Sequence, residues 1–348
     1  MKAAGAIAAA SFTGWPRMAV AGISGARKIP YPPKPWRDAI RLVGERSRRS
    51  PADIRGNAPG IERLPLYNDC CLTKTRDNRW HCIGILLEAT GAGDFRQDRL
   101  FHYVSDRLEG PYHSVGYLDL GYGTKAGVWA PFILQLKDRA LMFYAALAEG
   151  QLNIRVAESI DAGLVSWRRG FSGREILVSD ANARDPQIVC GCGEHPYLMY
   201  YVCTAGYGSD DENAVRVRSS KDLISWSAPK TVLGTPPGYG AAESVFVLHR
   251  HHQYYLWVSS ATDYSRMSLY ISSDPFDFGN AATNRIEEQS GHACEIVEEH
   301  GRYWMACVAI ASVPALGGKE PGLLPLQQHD LEGVYLQPLA WRPTGGRR

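Results

Sequence analysis

Three carboxylates each stand at the head of a short apolar run: Asp69 before Cys70–Leu72, Asp185 before Pro186–Val189, and Glu243 before Val245–Leu248. Asp185 follows Asp69 by 116 residues and Glu243 follows Asp185 by 58, so the second interval is half the first. A repeat that brings the head of every run to one place would gather all three. Carboxyl groups crowded into one cavity cannot all ionise comfortably. The least solvated rises in pKa and becomes a proton donor, while another stays charged. An acid and a base on opposite sides of one bond can protonate a leaving oxygen while a nucleophile is activated.

Other reactive residue types carry weaker patterns. Cys70 and Cys71 are adjacent, and strand alternation would turn one inward, where a thiolate could act as a nucleophile or lie buried and inert. Cys190-x-Cys192 is not a CxxC pair, and no second pair sits at zinc-site spacing, so no structural metal is expected. His249, His251 and His252 cluster in sequence but fall on a polar turn between two apolar runs, where solvated residues belong.

The elements that must position the carboxylates are strands. From residue 65 onward the chain is written in short β-type runs joined by polar turns, with no long segment of helical period. One unit recurs: a small or acidic residue, an apolar strand, a charged turn and an aromatic strand. The copies turn at Arg76-Asp77-Asn78, Lys137-Asp138-Arg139, Gly193-Glu194-His195, His251-His252 and Glu299-His300-Gly301. A second motif falls between them in phase, a strand ending in Ser with Asp following: Ser105-Asp106, Ser159-Ile160-Asp161, Ser220-Lys221-Asp222 and Ser273-Asp274, with a degraded copy near Gly333–Leu336 and Trp341. Trp167 and Trp226 follow two of these copies and read as packing residues of outer strands. Four strands of about six residues plus turns fill such a period, which is one propeller blade. The expected fold is all-β, a five-bladed β-propeller over residues 61–348. The innermost strand of each blade then lines a central funnel, so Asp69, Asp185 and Glu243 converge there.

The motifs in this order resemble those of the five-bladed propeller glycoside hydrolases, the superfamily of family 43 with families 32 and 68. The resemblance rests on Asn68-Asp69 in the first blade, Trp129-Ala130-Pro131 in the second, Arg184-Asp185-Pro186 in the third, Ala242-Glu243 in the fourth and Gly291-His292 in the fifth. It implies that Asp69 is the base toward water or the nucleophile, that Glu243 is the acid, and that Asp185 holds the sugar and tunes the acid. Asn68, Trp129, Arg184 and His292 would be substrate-binding. Arg184 would donate to hydroxyls and Trp129 would offer an apolar face. No cofactor is required, although some relatives hold an axial calcium near the position of His292. Two departures stand out. Cys70 follows Asp69 where the family has proline, and Ser244-Val245 follow Glu243 where a proline is common. Loss of proline frees φ and could re-aim these side chains. No β-sandwich follows the last blade, unlike an ordinary family 32 enzyme.

The implied activity is hydrolysis of a glycosidic bond, or transfer of the glycosyl group, on a furanoside or pentoside. Two rivals keep the propeller: a lyase, phosphorylase or cyclase acting on a small metabolite, and a non-catalytic sugar-binding propeller. Residues 1–60 form a basic extension, with 11 Lys and Arg against 3 Asp and Glu, before a body with 27 against 33. The acidic body lacks the basic surface that nucleic-acid binding needs. No apolar run is long enough to span a membrane. Within the extension, Pro30–Pro35 reads as an extended linker and Trp36–Arg49 as one short amphipathic helix on the propeller's outside. The Ala-rich start is a poor signal peptide and the cysteines do not form a stapling pattern, so a cytoplasmic location is expected, with secretion as the alternative. Nothing in the sequence assigns an oligomeric state.

Overall fold

The computed structural model describes residues 28–34, 36–44, 66–89, 95–148, 150–180, 182–191, 195–204, 213–262, 266–309 and 333–343. Five antiparallel sheets of blade type follow one another along the chain. The first runs Leu66–Lys74, Trp80–Ala89, Arg99–Ser105, His113–Asp119, and the second Gly127–Gln135, Ala140–Ala148, Gln151–Ser159, Trp167–Arg169. The third is Arg184–Cys190, Tyr197–Cys203, Ala214–Ser220, Lys230–Gly234, and the fourth Ala242–Arg250, Gln253–Ser260, Arg266–Ser272, Glu287–Ser290. Four of the five expected hairpin turns lie between the first and second strands of their blades; most of Gly193-Glu194-His195 falls outside the described residues.

The Ser/Asp signature has a local cause. Ser105 accepts from the Arg107 N–H, Asp161 from Val165 and Ser166, Ser220 from Leu223, Asp222 from Ile224 and Asp274 from Phe276. Short polar side chains there satisfy the backbone donors of the turn that leaves each third strand. Hydrophobic packing closes the ring. Five core clusters each join two consecutive blades, and one of them packs Leu42, Leu336 and Val334 of the fifth blade against Leu72 and Phe101 of the first.

The fifth blade corrects the sequence reading. Its inner three strands are Glu295–Glu299, Arg302–Ala309 and Gly333–Pro338, and its outermost is Ile40–Val43, paired antiparallel with Gly333–Pro338. Residues expected to be helical are therefore a short 3-10 turn, Trp36–Asp38, and a strand; residues 45–49 of that expected helix lie outside the described residues. Lys28–Tyr31, which overlaps the expected extended linker at Pro30 and Tyr31, likewise pairs with Ala340–Pro343. The boundary drawn at residue 60 thus cuts through the propeller. The physical reason is tertiary. Without a partner, Gly333–Pro338 would present an open edge, and Ile40-Arg41-Leu42-Val43 supplies a β-branched strand whose Leu42 and Val43 are buried there. Trp36 fixes the approach: it is buried, and its indole N–H donates to the Ser290 carbonyl at 2.8 Å.

Candidate active site

One backbone feature repeats at the head of every inner strand. Asp69, Ala130, Asp185, Ser244 and Ala293 adopt φ of 21, 46, 55, 46 and 47°, a left-handed conformation that non-glycine residues rarely hold. In the first four blades it coincides with a break in strand register, between Asn68 and Cys70, Trp129 and Phe132, Arg184 and Gln187, and Glu243 and Phe246. A bulge of this kind turns a side chain out of the pleat. The left-handed residues of all five blades line one pocket, whose walls include Asp69, Ala130, Asp185, Ser244 and Ala293 together with Glu295. Strain recurring at one position in five blades marks a built site.

The missing prolines do not change this backbone. Pro131 and Pro186 follow the bulge in two blades, and Cys70, Val245 and Cys294 take the same place in the others. The bulge also corrects the phase of Glu243. Its equivalents are Asn68, Trp129, Arg184 and His292, one residue earlier than the bulge, and Ser244 is the residue in register with Asp69 and Asp185. None of those five earlier residues lines the pocket, whereas Asp69 and Asp185 do.

Two residues nevertheless tie the three carboxylates together. Ser244 donates its backbone N–H to Asp185 Oδ2 at 2.8 Å and its hydroxyl to Asp69 Oδ1 at 2.9 Å. Arg184 forms an ion pair with Glu243 Oε1 at 3.3 Å and stands 3.7 Å from Asp185 Oδ2. The guanidinium is itself held by Thr204 Oγ1 at 2.7 Å and the Ala242 carbonyl at 3.3 Å. Arg184 is therefore spoken for by protein groups at the site. Burial, then repulsion from Asp185 and Glu243, pushes the Asp69 carboxyl well above the usual carboxylate range, against the opposing pull of Ser244 and Arg184. Burial also raises Asp185, opposed by Arg184 and by the Ser244 N–H.

The remaining expected residues take supporting places. His292 is fully buried, with Nε2 3.9 Å from Asp69 Oδ1, and burial pushes it down to about 3, so it is neutral. Gly291 before it holds φ 136°, and a Cβ there would meet Cys307 Sγ and Met267 Cε at 2.8 Å. The Trp129 ring folds over Gly127, where an added Cβ would lie 2.4 Å from it. Asn68 sits at the first-blade bulge with its Oδ1 enclosed. Cys70 and Cys71 are both buried, and the thiols are held well above their ordinary range, Cys70 chiefly by its hydrogen bond with Cys82 and Cys71 by burial. Both are thiols rather than thiolates at neutral pH, which removes the nucleophile reading. His251 and His252 form the exposed turn expected of them.

The residues present do not fit a directly ligated calcium. The ion takes six to eight oxygen ligands, whereas His292 offers a neutral ring. Among the described residues no group of three His, Cys, Asp or Glu is disposed to hold a metal ion. Also among the described residues, no helix is long and apolar enough to cross a membrane.

Sequence reasoning missed Ser244 and Glu295. Glu295 lies two residues past the left-handed Ala293, lines the same pocket, and is pushed well above its ordinary range by burial and by repulsion from Asp69. Prolines 131 and 186 were the available signal for Ser244, because they mark the position after the bulge; Glu295 had none.

A carboxylate-rich pocket supplies proton donors and acceptors on several sides. It also carries a cost that can be measured. A carboxyl whose proton affinity rises on folding makes the native state bind the extra proton, so stability falls as pH climbs from the unfolded value near 4 toward the folded one. Asp69→Asn removes that cost. The variant is expected to be more stable than the wild type at pH 7, with the gain vanishing toward pH 4, as read from urea denaturation midpoints. A less stable variant at pH 7 would contradict the burial argument.

Comparison with solved structures identifies the fold. No family model matches the chain, and no curated protein matches it in sequence. The structure is similar to RS223-β-xylosidase, with a TM-score of 0.58, 13% identity, and coverage of 81% of this chain and 95% of that one. It is similar to the GH43_1 enzyme from Xanthomonas citri complexed with xylose, with a TM-score of 0.57, 14% identity, and coverage of 84% and 94%. It is also similar to the GH43 endo-arabinanase from Bacillus licheniformis, with a TM-score of 0.54, 15% identity, and coverage of 80% and 95%. The chain has the five-bladed β-propeller fold of the family 43 glycoside hydrolases.

Proposed function

We propose that the chain cleaves a glycosidic bond, on a furanoside or pentoside, with Asp69, Asp185 and Glu243 as its acidic machinery. The observation that carries this reading is the junction at the funnel, where Ser244 joins Asp69 to Asp185 and Arg184 joins Asp185 to Glu243. Glycoside cleavage needs one carboxyl to protonate the leaving oxygen and a second to activate water or attack the anomeric carbon. Glu243 is assigned the first role and Asp69 the second, with Asp185 orienting the sugar and tuning Glu243. Neighbours of the same fold carry xylose in one case and act on arabinan in others, which supports a pentose. The seven free cysteines among the described residues support a reducing, cytoplasmic setting.

One observation favours a second reading. Glu243 is offset from the two aspartates by one residue and is ion-paired, so the propeller could serve a phosphorylase or lyase instead. One assay separates these. Aryl α-arabinofuranosides and β-xylosides are offered with and without inorganic phosphate. Free sugar without phosphate supports hydrolysis, sugar phosphate only with phosphate supports phosphorolysis, and neither from a folded protein overturns the first reading.

A further inference from the structure

Ser244 hydrogen-bonds to both aspartates of the funnel, and it comes from a blade to which neither belongs. Its left-handed backbone, with φ of 46°, gives the N–H to Asp185 Oδ2 of the third blade at 2.8 Å. Its hydroxyl donates to Asp69 Oδ1 of the first blade at 2.9 Å. The backbone bond fixes where the side chain can point, so the hydroxyl is held against one particular oxygen.

The two oxygens of Asp69 are therefore unlike. Oδ1 takes the hydroxyl and stands 3.9 Å from Nε2 of the neutral His292. Oδ2 takes no hydrogen bond from any described residue and is not enclosed, although the side chain is only 14% exposed and lines the pocket. A carboxylate acts as base or nucleophile through a lone pair that no other group holds. Oδ2 meets that condition and Oδ1 does not.

We propose that Ser244 is the positioning residue of the site, its hydroxyl pinning Asp69 by Oδ1 so that Oδ2 is the oxygen that takes and gives a proton in the pocket. The catalytic meaning of this rests on the glycosidase reading; the pinning does not.

A hydroxyl donor favours the charged acid that accepts from it. Here it acts against the burial that raises Asp69. The other groups facing Asp69 come from every side. Arg184 and Asp185 stand on the third blade, Glu243 on the fourth, and His292 and Glu295 on the fifth. Cys70 and Cys71, on its own strand, are uncharged thiols, and the second blade contributes Ala130 and Pro131. All of these are the same in wild type and in a Ser244 variant, so a changed titration of Asp69 reports the hydroxyl.

The test is made first without substrate, on two variants. Ser244→Ala deletes the oxygen and keeps Cβ; Ser244→Gly also lacks the oxygen and suits the backbone better. Both keep the N–H to Asp185. Their stabilities should differ, but the lost hydroxyl is common to both. Protein isotopically labelled at its aspartate carboxyl carbons is titrated by NMR from pH 4 to 10, the Asp69 resonance being the one that disappears in Asp69→Asn. Its midpoint is expected to rise by about one pH unit in both variants. The acidic limb of kcat/KM should rise by the same amount. A midpoint unchanged or lowered, a rise in only one of two folded variants, or an Asp69 resonance that titrates in none of the three proteins would overturn the proposal. Raised midpoints without sugar release from any glycoside would leave Ser244 in its role and remove the glycosidase reading. Sugar release with unmoved midpoints would do the reverse.

Discussion

Glu243→Gln is expected to lower kcat/KM by two to four orders of magnitude on glycosides with an alcohol or sugar leaving group, the range that general acid catalysis supplies. On a dinitrophenyl glycoside, whose leaving oxygen needs no proton, the loss should shrink to about tenfold or less. The contrast matters more than the size. Arg184 stands 3.3 Å from Glu243 and would be left facing a neutral amide, so a merely structural defect is conceivable in the variant. Such a defect would slow both substrates alike. An acid's absence slows only the one that needs a proton. Equal losses on both would reassign the proton donor, with Asp69, the carboxyl most crowded by others, as the first alternative. The dependence of rate on leaving-group acidity, measured across a series of aryl glycosides, makes the distinction quantitative.

The same residue shows how far the sequence could be read. The five units, their hairpin turns and the Ser/Asp signature are local patterns, and local hydrogen bonds produce them, so they were legible. Asp69 and Asp185 were placed in one ring because each begins its strand in the same phase. Glu243 was placed there too; it stands one position earlier, and Ser244 takes the place in register with the two aspartates. A bulge inserts a residue into one strand without changing the pattern of apolar residues beyond it, so Glu243 and Ser244 compete for the bulge on equal terms unless a proline marks the next place. Pro131 and Pro186 do so in two blades; Cys70, Val245 and Cys294 do not. Glu295 was hidden for a related reason, because it lies beyond any motif on a strand whose inner face only the assembled ring defines.

The closing strand was illegible because it is a long-range decision. Val43 pairs with Val334 across almost the whole chain, and its local sequence suits a helix face as well as a strand. What tips the balance is an unpaired edge on the fifth blade, a fact about the other end of the protein. The consequence for the site is direct. Trp36, just before this strand, packs against Gly291, and Gly291 leads into His292 behind Asp69. The amino-terminal segment thus braces the wall of the funnel that it was expected merely to precede.

Arg184→Met is expected to be the most damaging single change at the site, destabilising the protein by about 3–5 kcal/mol at pH 7, the range for a buried pair that loses one partner. The guanidinium and both carboxylates are largely enclosed, with side-chain exposures of 11, 7 and 15% for Arg184, Asp185 and Glu243, so solvent does little to screen the loss. The variant would strand two acidic groups beside a third, Asp69, already held high in its proton affinity. Protonation is the available relief. Asp185 is raised by burial even with Arg184 opposing it, and removing that opposition raises it further. A native state with raised acids binds protons that the unfolded chain does not, so the deficit should be greatest near neutrality and shrink as pH falls toward 4. Urea denaturation at pH 7 and pH 4.5 reads this difference, and a deficit independent of pH would mean that lost packing and the bonds to Thr204 and Ala242, rather than stranded charge, account for it. Turnover should fall in parallel at every pH where the protein is folded, because Arg184 is the link between Glu243 and Asp185. Acid pH would then restore the fold of this variant without restoring its activity.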